Sequence, residues 1–179
     1  MIQLSSTKKL VYAALFLALA LVLPMLIGQI PEIGSVLSPM HIPVLLCGFI
    51  CGAKYGALVG FTAPLLKTAL FTIPPLYPTA LAMSFELLTY GLVAGLLYAV
   101  LHKHIAHIYI NLIGAMIAGR IVWGLSMLVL LSVKGQAFTF SAFLASAFIT
   151  AIPGIITHII VIPVLVIMAQ KFLTSESKR

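Results

Sequence analysis

Lys67, Glu86 and Arg120 are ionisable side chains set inside otherwise apolar stretches of this chain. An ion surrounded by hydrocarbon is costly unless it is paired or lines a wet cavity, so such residues are read as parts of a binding or transport site. Trp123 follows Arg120 by three residues, which puts both on one helix face. A guanidinium offers a rigid fork of donors for a carboxylate, and an indole a flat apolar wall. Together they suit a small ligand with an anionic or strongly polar end. Lys67 and Glu86 come out at similar depth, about 10 Å below one membrane surface, on neighbouring segments of opposite direction. A direct ion pair between them fits this placement. The plainer alternative makes Glu86 a structural brace that neutralises Lys67 or Arg120.

His41 lies where a loop meets the second apolar segment, beside Pro39 and Met40, placed to hydrogen-bond a ligand or to cap the loop. His158 sits between Pro153 and Pro163, where proline frees backbone carbonyls. A packed, hydrogen-bonded histidine is expected there, with ligand contact as the alternative. His102, His104 and His107 share one short loop with no Cys, Asp or Glu nearby, so a solvated loop is expected rather than a metal site. Cys47 and Cys51 stand one helical turn apart, where packing is expected and a disulfide is not. No catalytic residue, metal or cofactor is expected. The chain has no GxxxxGK[ST] phosphate loop, no HExxH, no GxSG nucleophile turn and no Asp at all.

The elements that must position these residues are membrane helices. The 179-residue chain is 63% hydrophobic and only 7% charged, with a mean hydropathy of +1.24, far from the composition of a soluble domain. Ten Lys and Arg stand against three acidic residues. These cations sit at the edges of apolar segments rather than in a patch that could follow a phosphate backbone, so nucleic acid is not an expected partner and membrane lipid is. A spanning helix needs roughly 20 mainly apolar residues. Six candidates emerge: 10–27, 35–51, 55–73, 79–100, 108–133 and 141–172. The first resembles a signal peptide but is longer and lacks a clean cleavage site, so it reads as a retained helix. The second is the shortest, uninterrupted only over 42–52, and a hairpin at "GAKYG" separates it from the third.

With both termini in the cytoplasm, Lys8, Lys9, Lys54, Lys103, Lys171, Lys178 and Arg179 fall inside and Lys134 outside, which is the bias that supports six spans. The proline-rich segments "GQIPEIGSVLSPMH", "TIPPLYPT" and "KGQAFTF" are then external and shape a site that opens outward. Small residues recur at four-residue spacing: Ala14 and Ala18; Gly48, Gly52, Gly56 and Gly60; Gly91 and Gly95; Ala115 and Gly119. They let helix backbones approach closely, most of them inside the bundle. Ala14 and Ala18 are the expected exception, on an accessible outer face. The whole chain, 1–179, reads as one all-α integral membrane domain.

The segments "LSPMHIPVLLCGFICGAKYGALVGF", "PLLKTALF" and "FELLTYGLVAGLLY", followed by "GRIVWG" and "FITAIPGI", resemble the substrate-binding S components of energy-coupling factor (ECF) vitamin transporters, over nearly the whole chain. The resemblance implies a six-helix plasma-membrane protein that binds a vitamin or related micronutrient from outside. It also implies association with a transmembrane T subunit and two ABC ATPases, and toppling in the membrane to carry the ligand inward. Ala14-x-x-x-Ala18 matches the AxxxA pattern of the first helix, making both alanines T-subunit docking residues. Lys67, Glu86, Arg120 and Trp123 then mark the ligand neighbourhood. Cation excess at depth favours a carboxylate-bearing ligand, pantothenate first, with riboflavin, thiamine precursors, pyridoxine-like compounds and folates open. The alternative classes are a stand-alone secondary transporter coupled through Glu86 and a ligand-independent assembly or sensor protein.

Overall fold

A computed structural model describes residues 5–27, 38–101, 105–137, 139–149 and 151–176. Every regular element among them is helical: α1 (Ser6–Ile27), α2 (His41–Cys51), α3 (Ala53–Phe71), α4 (Leu81–Val100), α5 (Ile105–Val133), the single-turn α6 (Phe140–Leu144) and α7 (Ile152–Glu176). Wide turns over Leu76–Ala80 and Ala145–Ile149 lead into α4 and α7. Among the described residues, four helices are long and apolar enough to cross a membrane: Ser6–Leu26, Leu76–Val100, Ile105–Val133 and Ile152–Phe172. The outer surfaces agree with hydrocarbon surroundings. Leu125 on α5 is 60% exposed, and Ile160 and Met168 on α7 are each 61% exposed, an apolar exterior that water would not tolerate on this scale.

The boundaries follow local chemistry. Ser5 caps α1, its hydroxyl accepting from the Lys8 N–H at 3.3 Å. Thr139 does the same for α6 through Ala142 N–H, also at 3.3 Å. The second segment is shorter than its pattern suggests. Its helix begins only at His41, after a turn in which Ser38 takes φ 46° and accepts the His41 N–H at 3.0 Å. Pro39 lies in that turn, and Pro43 is the third residue of α2, where a missing N–H is harmless. The expected sixth span over 141–172 is also divided. Proline seats naturally in a first helical turn, and Pro153 is the second residue of α7 rather than a mid-helix kink. Pro24, Pro64 and Pro163 do sit inside helices.

Between α2 and α3 the chain turns on a single residue. Gly52 has φ 95° and ψ 173°, a conformation that a side chain would strain, and its N–H closes α2 on the Gly48 carbonyl at 3.1 Å. The expected hairpin at "GAKYG" is thus a one-residue corner. α4 occupies the centre, packed on α2, α3 and α5, while α1 lies against α2 and α3, and α7 against α2 and α5. The α3–α4 crossing is backbone on backbone: a Cβ on Gly60 would stand 2.1 Å from the Leu87 carbonyl oxygen, and one on Gly91 2.2 Å from the Gly56 carbonyl carbon. The glycine ladder is internal packing, as its spacing suggests. Around it close Val44, Leu45, Leu87, Ala94, Leu112 and Ile162, all fully buried.

Candidate ligand site

Glu86 lies six residues into α4 and points inward, 2% exposed. Its Oε1 meets Arg120 Nη1 of α5 at 3.2 Å, and His41 Nε2, at the start of α2, at 3.7 Å. His41 is fixed from the other side, because its Nδ1 donates to the Ser38 carbonyl at 3.1 Å. That bond places a proton on Nδ1, since a carbonyl can only accept. His41 therefore both caps the loop and faces the carboxylate. Its ring stacks on His158 of α7, centroids 5.6 Å apart at 26°, and tilts against Tyr90 at 5.4 Å. Tyr90 stands one turn beyond Glu86 on α4, fully buried beside Glu86 and Arg120. Its ring fills the notch at Gly119, where a Cβ would come within 2.0 Å of it. Four helices thus converge five polar side chains on one interior point.

The cluster is under-bonded. Arg120 Nε is buried with no hydrogen-bond partner, while the Tyr90 hydroxyl faces Glu86 and Arg120, and His158 faces the Ser38 backbone. A buried orphan of this kind costs about 1–3 kcal/mol. Such an atom calls for solvent or a solute beside it. His158 is packed, as its sequence context suggests, with the Ser38 backbone beside it.

Glu86 pairs with Arg120 and His41 rather than with Lys67. The reason is helix register. Gly60 faces Leu87 and Gly56 faces Gly91, so Lys67 is level with about Ala80, some six residues or about 9 Å from Glu86 along the axis. On the other side Gly119 abuts Tyr90 and the Glu86 carbonyl, which sets Arg120 level with Glu86. Lys67 is half-buried on α3 and makes no ion pair among the described residues. Trp123 is half-buried one turn further along α5 from Arg120. Tyr90 was not singled out by sequence reasoning, although its spacing of four from Glu86 on one helix carried the signal.

Elsewhere, a concavity of about 290 Å³ opens between α5 and α6, lined by Ile121, Gly124, Leu125, Leu128, Thr139, Phe140 and Phe143 and by none of the expected site residues. Cys47 and Cys51 are free and buried. His102 and His104 lie outside the described residues, as do 28–37, most of the first predicted external loop.

This architecture has a counterpart among family models: that of the ECF transporter, substrate-specific component, matches residues 8–167. The chain belongs to this family. It is a multi-pass membrane protein and a substrate-binding S component, one of a class that binds small molecules and works with a T subunit and ABC ATPases. Comparison with curated proteins and with solved structures returned no match. Ala14 and Ala18 of the S component are exposed on the outer face of α1, between Leu10, Val11, Leu15 and Leu19, while Ala13, Phe16 and Ala20 turn inward.

Proposed function

We propose that this S component is a six-span plasma-membrane subunit with both termini in the cytoplasm, which captures a vitamin-sized, water-soluble solute from outside. The supporting observation is the convergence of Glu86, Arg120, His41, Tyr90 and His158 in the interior of the helix bundle, with Arg120 Nε left unpaired. Structural braces satisfy their own polar groups; a cluster that does not is suited to a guest. In this reading Glu86, Arg120, His41 and His158 contact the solute or orient what does, and Trp123 and Lys67 flank the site along α5 and α3. Ala14 and Ala18 form the face that meets the T subunit, with two ABC ATPases supplying the energy. The short α2 and the one-residue Gly52 corner are compatible with a six-segment bundle, in which α2 reaches only part of the bilayer depth.

Pantothenate, the first expectation for the solute, rested on cation surplus. With Arg120 neutralised by Glu86, that surplus rests on Lys67. Uptake into proteoliposomes tests the function directly. Transport of a bound vitamin is expected only when the T subunit and ATPases are co-reconstituted with the chain. Uptake by the chain alone, driven by a proton gradient, would favour a secondary transporter coupled through Glu86 and reject the importer-subunit reading.

A further inference from the structure

We infer that the part of the solute reaching the buried cluster is uncharged and carries a donor beside an acceptor, as a primary amide, a lactam or an aminopyrimidine does. The inference rests on the reading of this cluster as a capture site. Glu86 Oε1 and Arg120 Nη1 already stand 3.2 Å apart, both largely enclosed. A guest carboxylate would compete with Glu86 for the guanidinium and sit beside a second carboxylate at low dielectric, where like charges repel strongly. A guest cation would meet Arg120 in the same way.

What the pair still offers is neutral in sum. Arg120 Nε is a donor without an acceptor, and Glu86 is an acceptor with lone pairs to spare. An amide-like edge answers both, its carbonyl or ring nitrogen taking the Nε proton and its N–H reaching the carboxylate. The groups beside them are two-sided in the same sense: the buried Tyr90 hydroxyl, facing Glu86 and Arg120, can donate or accept. Arg120 Nε and Glu86 are thus both met by a dipolar group, and neither requires a net charge on the guest. Lys67 lies about 9 Å away along the bundle axis, so an anionic tail, if the solute has one, is received apart from this end.

The sign of one substitution separates the cases. The purified chain is titrated with pantothenate, riboflavin, pyridoxine, folate and the molecule released on denaturing protein isolated from rich medium, by calorimetry and native mass spectrometry. The same titration follows on Glu86→Gln. For an uncharged donor–acceptor edge, losing the carboxylate weakens binding more than threefold. For a carboxylate held by Arg120, removing its competitor tightens binding, and a tighter or unchanged affinity would overturn the inference while leaving the capture role intact. If Glu86→Gln does not fold, the combined Glu86→Gln/Arg120→Gln chain decides: retained binding supports an uncharged edge, and complete loss refutes it. Failure of the wild-type chain to bind any of these solutes would reject the capture role itself.

Discussion

Replacing Arg120 by Ala removes the one guanidinium that, among the described residues, stands beside a carboxylate that is 2% exposed. Breaking one side of a buried ion pair costs about 3–5 kcal/mol, because the remaining charge is stranded. A loss of about 3–5 kcal/mol is therefore expected. The decisive comparison is with Glu86→Leu/Arg120→Met. Exchanging a whole buried pair for apolar residues of similar volume is often neutral or better, so the double variant should regain near-wild-type stability. It should still fail to bind solute. The assay is thermal or denaturant unfolding in detergent, run beside calorimetric titration of the same samples. If Arg120→Ala is as stable as the parent, the pair is not buried as described. If the double variant is stable and binds normally, the cluster is a brace and the ligand site lies elsewhere.

Other perturbations probe the frame around this point. Gly91→Ala would drive a Cβ to 2.2 Å from the Gly56 backbone; overpacking of this kind costs about 1–3 kcal/mol or more, read as lost yield and lowered unfolding temperature. Gly52→Ala, at φ 95°, should destabilise by about 1–3 kcal/mol through backbone strain alone, since nothing lies within 4 Å of its Cβ. A normal melting profile would mean that the corner between α2 and α3 is not this tight. Gly119→Ala should push the Tyr90 ring out of its notch and lower solute affinity more than fivefold, checked by calorimetry. Ala14→Trp, on the exposed face of α1, should leave solute binding unchanged and block uptake in the reconstituted complex; intact uptake would remove that face from docking.

Much of the frame was legible because membrane helices announce themselves by composition. Where hydrocarbon is the solvent, any stretch of sufficient apolar length must satisfy its own backbone, and a helix is the available way. Helices near 6–27, 81–100 and 105–133 follow from that alone. The glycine ladder was equally readable, since four-residue spacing on one face has few uses besides close packing. Prolines were less so. Pro43 and Pro153 look like kinks within long apolar runs, yet both sit in first turns, because a ring that cannot donate costs nothing there. Sequence shows that a proline interrupts; whether it bends a helix or begins one depends on what the preceding segment packs against.

The site shows a different limit. Apolar context singled out Glu86 and Arg120, which the structure brings together, but their partners depend on register, which no single helix records. Counting residues inward from each predicted end places Lys67 and Glu86 at one depth only if α3 and α4 end level. They do not. The chain between them passes Thr72 in a left-handed conformation and then the wide turn Leu76–Ala80, and the Gly60–Leu87 contact fixes the offset that carries Lys67 out of reach. The same glycines that allow the backbones to touch therefore decide which cation neutralises Glu86. Choosing Arg120 leaves a cluster whose charges are paired, and on the capture reading proposed above such a cluster suits a dipolar guest better than an anionic one. On that reading, helix contact residues remote from the chemistry bear on which solute this chain can hold.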